Sequence, residues 1–323
     1  MARAEVKDDV YGEDPTVNRL QEECARVAGK EAALFVPSGS MANLVAQLCW
    51  VRKGDEVIIG AESHCFRYEV GAGAALAGAQ YAVIPGSGLF TAAQVREKIR
   101  PRTFHTPGTA LVWIENTHNF GGGIVFPLDE IARVKGACAE AGVPLHMDGA
   151  RVFNACAATG RNARDIAAAV DTLSFCFSKG LGAPVGSVLC GPRGWIDEAK
   201  RFRKMVGGGM RQAGILAAAA LYALENNVAR LGEDHANARF LAGHAAGMKG
   251  LKVDMDTVQT NIAVVEVTAG DARLFVQRLK AGGVLINALD ARRVRFVTHL
   301  DVARADIEAA LPVIERAAER LAG

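Results

Sequence analysis

The sequence holds no C-x-x-C pair, no basic stripe interleaved with aromatics, no internal repeat and no low-complexity linker. Its seven cysteines (24, 49, 65, 138, 156, 176 and 190) are odd in number, spread out and set mostly among Ala, Val, Leu and Phe. They read as small core residues in a reducing compartment, which argues against a disulfide framework or a zinc site; no metal is expected. Basic residues are scattered and the net charge is only +2, so nothing favours a nucleic acid or a membrane surface as partner. Val70 to Val95 carries no charge, but Gly71, Gly73, Gly78, Pro85, Gly86 and Gly88 break it, so it does not read as a membrane span. Met1 to Asp9 mixes charges around no apolar core and is no signal peptide. A cytoplasmic protein is expected.

What is present is ample apolar material: 50% of the 323 residues are hydrophobic and 22% charged, enough for a large core in about two domains. Two short apolar runs organise it. Pro144-Leu145-His146-Met147-Asp148-Gly149 and Leu173-Ser174-Phe175-Cys176-Phe177-Ser178-Lys179-Gly180 each end on an ionisable residue followed by glycine. A buried strand that stops on a charge and turns sharply puts that charge at the mouth of a sheet. Residues 161–169 can supply the crossover helix between them, which brings Asp148 and Lys179 to the same edge. An amine beside a permanent anion suits pyridoxal phosphate: the lysine forms a Schiff base with the aldehyde, and the aspartate keeps the ring nitrogen protonated. An ordinary ion pair at a strand end is the alternative.

Along the chain, Asp14-Pro15 opens a helix with an N-cap carboxylate and a first-turn proline, its buried stripe is Val17, Leu20, Cys24 and Val27, and Gly29 ends it. Ala33 to Val36 is a strand running into Pro37-Ser38-Gly39-Ser40, after which Met41 to Val51 reads as a helix. Free N–H groups, the helix dipole and two hydroxyls make that turn an anion site. It has neither the G-x-x-x-x-G-K-[ST] nor the G-x-G-x-x-G pattern, so a single phosphate fits better than a di- or triphosphate. Strands follow at 56–59, ending near His64, at 110–114, ending at Glu115-Asn116-Thr117-His118-Asn119, and at 186–190, with helices at 92–99 and 128–141. The alternation predicts a mostly parallel sheet covered on both faces.

Gly207-Gly208-Gly209-Met210-Arg211-Gln212 is a flexible turn, with Lys204 and Arg211 expected to aim at an anion and the backbone to approach a partner subunit. Asn226 to Gly247 reads as one long helix bridging to a second unit. From about residue 250 the pattern becomes a small α+β domain, with strands at 261–267 and 293–297 and helices at 271–281 and 304–321. Arg293 and Arg295 share one face of their strand, and either can reach a substrate carboxylate. The expected division is a large domain over 1–231 and a small C-terminal domain over 232–323.

Asp8-Asp9-Val10-Tyr11-Gly12-Glu13-Asp14-Pro15, Pro37 to Ser40, Glu115 to Asn119, Asp148-Gly149-Ala150-Arg151, Ser178-Lys179-Gly180, Gly207 to Gln212 and Val297-Thr298-His299 occur in that order. Taken together they make the chain resemble the low-specificity L-threonine aldolases, pyridoxal-phosphate lyases of the aspartate-aminotransferase-like fold (fold type I). The resemblance implies retro-aldol cleavage of L-threonine, L-allo-threonine and other β-hydroxy-α-amino acids to glycine and an aldehyde. It implies that Lys179 carries the cofactor and Asp148 pairs with the pyridine nitrogen, that Gly39 and Ser40 hold the phosphate, that His64 stacks on the ring, and that Ser38, Ser178, Arg151, Lys204 and Arg211 also bind the cofactor. Arg151 and Arg295 would clamp the substrate carboxylate, with His118 near the β-hydroxyl and His64 or His118 as the base. Tyr11, Lys204 and Arg211 would complete the site close to a subunit boundary, in a homotetramer of paired dimers. Family members normally begin with a further Arg-Ser-Asp-Thr-Val-Thr-like segment whose serine approaches the substrate carboxylate. This sequence starts just before Asp8, and Lys7 stands where a glycine is usual; substrate binding is expected to be touched more than cofactor binding. A β-eliminating lyase or transaminase of the same fold, a cofactor-binding protein of impaired activity, and an α/β phosphate-binding module without the cofactor remain open.

Overall fold

A computed structural model describes residues 1–322. The chain divides into two compact units, one made of Met1–Thr117 and Phe126–Val228, the other of His118–Val125 and everything from Ala229 onward.

The first unit is built on seven strands: β1 (Ala32–Val36), β2 (Glu56–Gly60), β3 (Gln80–Ile84), β4 (Thr109–Glu115), β5 (Leu145–Asp148), β6 (Thr172–Cys176) and β7 (Ser187–Gly191). They form one sheet in the order β1-β7-β6-β5-β4-β2-β3. The pairs β2–β3, β2–β4, β4–β5 and β5–β6 are parallel, while β7 runs against both β6 and β1. The mostly parallel expectation holds, with β7 the exception. Residues 177–186 join β6 to β7, and so short a connection does not carry the crossover that a parallel neighbour needs. β2, β5, β6 and β7 are buried at every position, as strands covered on both faces must be.

The first helix, Pro15–Ala28, starts and stops where the sequence says. Asp14 accepts from the backbone N–H groups of Thr16 and Val17, both at 3.1 Å, and Gly29 ends the helix at φ +63°. The second oxygen of this fully buried carboxylate accepts from Gly214 N–H at 3.0 Å, tying that helix to the start of Gly214–Asn226. Two expectations need correction. The charge-free stretch 70–95, to which the sequence reading assigns no strand, contains the edge strand β3. The helix expected over 226–247 starts later, at Leu231, and runs to Ala246, with residues 227–230 separating it from Gly214–Asn226.

The second unit carries β8 (Leu251–Val253), β9 (Ile262–Val267), β10 (Asn287–Ala288) and β11 (Arg293–Val297), antiparallel in the order β10-β11-β9-β8. Its core joins Val265, Val267, Val294 and Phe296 of the sheet to Phe275 and Leu279 of helix Ala272–Ala281 and Ile314 of helix Arg304–Ala322. β8 and β10 are too short to announce themselves as periodic runs. All seven cysteines are free. Among the described residues no helix is long and apolar enough to cross a membrane.

Candidate active site

Four strands of the first unit deliver side chains to one place. β1 ends at Val36 and turns through Ser38 into helix Gly39–Trp50; β2 ends at Gly60, shortly before His64. β5 ends on Asp148 itself, and its parallel neighbour β6 ends at Cys176, three residues before Lys179. β1, β2, β5 and β6 all point the same way, so these are carboxyl ends at one edge, where α/β sheets collect ligands. Asp148, Lys179, Ser178, His64 and Ser38 to Ser40 line one cleft of about 120 Å³, together with Asn43, Glu69, Ala150 and Cys176.

A hydrogen-bonded chain of buried groups forms its wall. Asp148 Oδ1 accepts from Ala150 N–H at 3.0 Å and Oδ2 from the Asn43 amide at 2.8 Å. The same amide nitrogen donates to Glu69 Oε1 at 2.8 Å, while Asn43 Oδ1 accepts from Ser174 Oγ at 3.4 Å. Both hydrogens of one NH₂ group are therefore spent on two carboxylates. Glu69 Oε1 also meets His64 Nδ1 at 2.9 Å, and His64 N–H donates to Glu115 Oε2 at 2.7 Å. Burial raises the Glu69 pKa, helped by the Asp148 charge, against the lowering pull of its His64 bond. The bond to Glu69 in turn raises His64, more than burial lowers it. Asn43 and Glu69 were not singled out from the sequence. One sits inside a mostly apolar helix and the other in an irregular segment, so neither has a motif; a polar side chain on the apolar face of a helix is the only available sign.

The start of helix Gly39–Trp50, the helix that also carries Asn43, lines the cleft as well. Ser38 caps it through Oγ, which accepts from Met41 N–H at 3.2 Å, leaving the Gly39 and Ser40 N–H groups without intrahelical partners. A Cβ on Gly39 would stand 2.9 Å from Cys176 Sγ, so only glycine keeps this wall in place. Two free backbone donors, the Ser40 and Ser178 hydroxyls, a primary amine and a braced carboxylate form a donor set that fits a pyridoxal phosphate: an anion at one end, an aldehyde partner and a ring-nitrogen partner at the other.

Other candidates lie elsewhere in this chain. Arg151 is half-buried in the turn after Asp148 and leads into helix Val152–Thr159. Lys204 is exposed, and Arg211 pairs with Asp8 at 2.7 Å with its guanidinium 6.0 Å from the exposed Tyr11 ring; none of these three lines the cleft. In the second unit His118 is fully buried and its Nδ1 accepts from Gly121 N–H at 3.0 Å. Arg295 donates to Asn119 Oδ1 at 2.7 Å, whereas Arg293 is held by Asp290 at 2.6 Å and lies over the Phe120 ring.

A sheet of this topology with this cleft at its carboxyl edge has the architecture of the fold type I pyridoxal-phosphate enzymes. The chain matches the beta-eliminating lyase family over residues 1–268. It is 45% identical over 306 residues to the low specificity L-threonine aldolase of Escherichia coli K12, covering 94% of this chain and 90% of that one. It is 41% identical to the probable low-specificity L-threonine aldolase 2 of Arabidopsis thaliana, at 98% and 91% coverage. A solved putative L-allo-threonine aldolase from Listeria monocytogenes shares the fold at a TM-score of 0.83 and 23% identity, covering 99% of this chain and 90% of that one. The chain belongs to the beta-eliminating lyase family, among its low-specificity L-threonine aldolases.

Proposed function

We propose that this chain cleaves the Cα–Cβ bond of L-threonine, L-allo-threonine and other β-hydroxy-α-amino acids, giving glycine and an aldehyde, with pyridoxal phosphate in the cleft. The observation that carries the reading is the meeting of the Lys179 amine and the Asp148 carboxylate in one pocket at the ends of two adjacent parallel strands. When bound, the cofactor supplies an electron-poor aromatic ring that takes up an electron pair as a bond to the substrate α-carbon breaks.

The chain's own residues do the rest. Lys179 holds the cofactor covalently through its amine and yields to the substrate amine. Asp148, fixed by Ala150 and Asn43, keeps a lone pair on each oxygen for the ring nitrogen. Gly39, Ser40, Ser38 and Ser178 hold the phosphate, and His64 flanks the ring. Arg151 and Arg295 grip the substrate carboxylate through charge-assisted hydrogen bonds worth about 1.5–3 kcal/mol each. That grip fixes which bond at the α-carbon is broken, because rotation about the Cα–N bond is stopped. His64 or His118 takes the proton of the β-hydroxyl. Tyr11, Lys204 and Arg211 act at a subunit boundary of a cytoplasmic homotetramer, a dimer of dimers. Supporting that assembly, a groove of about 760 Å³ lined by Ser38, Ser40, Met205 and Leu76 leaves Met205 71% and Leu76 54% exposed.

The test is to incubate the purified chain with pyridoxal phosphate and each threonine diastereomer and to quantify products. Acetaldehyde and glycine in equal amounts support the reading. Keto-acid and ammonia without glycine would replace it with β-elimination, and amino-group exchange with transamination.

A further inference from the structure

Glu69 is a buried carboxylate that none of the roles above uses. We infer that Glu69 is a positioning residue: it holds His64 in the Nδ1–H tautomer and so leaves Nε2 as the proton acceptor for the substrate's β-hydroxyl. The inference rests on the aldolase reading for the identity of that hydroxyl, and on the geometry alone for the state of the imidazole.

The tautomer follows from which atoms can donate. Glu69 Oε1 accepts from the Asn43 amide at 2.8 Å, and an amide N–H only donates. With Glu69 ionised its oxygens only accept, so the hydrogen between Oε1 and His64 Nδ1, 2.9 Å away, sits on the nitrogen. A neutral imidazole with hydrogen on Nδ1 has its lone pair on Nε2. His118 is held the other way round: its Nδ1 accepts from Gly121 N–H at 3.0 Å, so its neutral ring bears the proton on Nε2 and presents a donor. Two histidines left open by the sequence are thus separated into a base and a hydrogen-bond donor by their Nδ1 partners.

The dyad also suits the proton transfer itself. As the β-hydroxyl proton moves to Nε2, the O–H electron pair becomes the second C–O bond of the aldehyde and the Cα–Cβ pair passes to the α-carbon, which is protonated later to give glycine. His64 becomes a cation beside an anion, with no reorganisation of Glu69, whose position Asn43 already fixes. The other charged or titratable groups around the ring are Asp148 from β5, Lys179 after β6, Glu115 on the His64 backbone, and Tyr68, whose ring lies 5.6 Å away. Asp148 favours and Lys179 opposes the protonated ring, while the Glu69 bond is the largest influence on it.

The experiment is ¹⁵N-histidine NMR on the wild type, E69Q and E69A, with and without pyridoxal phosphate, alongside pH profiles of threonine cleavage. In the wild type, neutral His64 should show a protonated Nδ1 and a bare Nε2. E69Q keeps an acceptor but loses the charge, so the His64 titration should fall by about one pH unit, and the acid limb of kcat/KM should fall with it. E69A should release the ring to the Nε2–H form and reduce kcat roughly tenfold or more, with a smaller effect on KM. Should E69A not fold, the wild type and E69Q decide the matter. A protonated Nε2 in neutral wild-type His64, or an unmoved titration and acid limb in E69Q, overturns the inference. The NMR readout needs no substrate: absent aldehyde release with a Nδ1–H His64 would sink the aldolase reading and leave the tautomer assignment intact.

Discussion

Asn43→Leu removes the one side chain that bridges both buried carboxylates while nearly preserving its volume. Asn43 is 3% exposed, and its amide nitrogen serves Asp148 and Glu69, each at 2.8 Å. A hydrogen bond to a charged group contributes about 1.5–3 kcal/mol, so the pair contributes about 3–6 kcal/mol where Glu69 is ionised. A typical domain is stable by only about 5–15 kcal/mol. The loss has a pH signature. Burial raises the folded-state pKa of Glu69 above its unfolded value, so the folded state binds the proton more tightly and stability falls as pH rises through that window. Losing the Asn43 donor raises Glu69 further, and each added unit extends the fall by about 1.4 kcal/mol. His64, also raised, acts in the same direction: the stability it lends is full below its unfolded pKa and is lost as pH passes its folded one. Urea denaturation of wild type and variant at pH 5 and pH 8 reads all of this. The deficit should be several kcal/mol at pH 8 and smaller at pH 5. A deficit below about 1 kcal/mol at pH 8, or equal deficits at both, would refute the bridging argument.

Arg151→Ala should leave the cofactor bound and raise the KM for threonine about 10- to 100-fold, the equivalent of one charge-assisted bond; unchanged threonine kinetics would remove Arg151 from the carboxylate grip. Asp9→Asn strips the partner from Arg203, whose guanidinium lies 2.9 Å from Asp9 Oδ2 with both side chains under 5% exposed and also donates to Phe35 C=O at 2.8 Å. Leaving that charge buried alone should cost about 3–5 kcal/mol in thermal or urea denaturation, and D9L/R203M should cost less than D9N; a single-variant loss equal to or below that of the double would contradict it.

The parts of the molecule legible in the sequence were those set by strong local chemistry. Asp14-Pro15 and Gly29 bound a helix because a cap, a fixed φ and a left-handed terminus leave little choice. Apolar runs ending in Asp148 and Lys179 gave the sheet edge, since burial on both faces demands uninterrupted hydrophobics. β3 escaped because Gln80-Tyr81-Ala82-Val83-Ile84 is an edge strand, mostly half-exposed and without clean alternation. The later start of the helix expected from Asn226 escaped because Asn226-Asn227 is a weak boundary signal with no glycine or proline at the junction. That Asp8 pairs with Arg211 beside the glycine turn is set by the fold and not by any motif. The excursion of His118–Val125 into the second unit, and the Asp148–Asn43–Glu69–His64 chain, are products of tertiary packing between residues up to 176 positions apart. No periodicity or motif reports contacts of that kind.

The account depends on one amine. Reducing the cofactor-loaded chain with borohydride fixes pyridoxal phosphate to whichever lysine holds it, and peptide mass spectrometry then locates the adduct. A phosphopyridoxyl group on the peptide containing Lys179, lost in K179A together with the visible absorption of the bound cofactor, is the predicted result. An adduct on another lysine, or none on a folded and cofactor-saturated chain, would contradict the assignment of the cleft and everything derived from it.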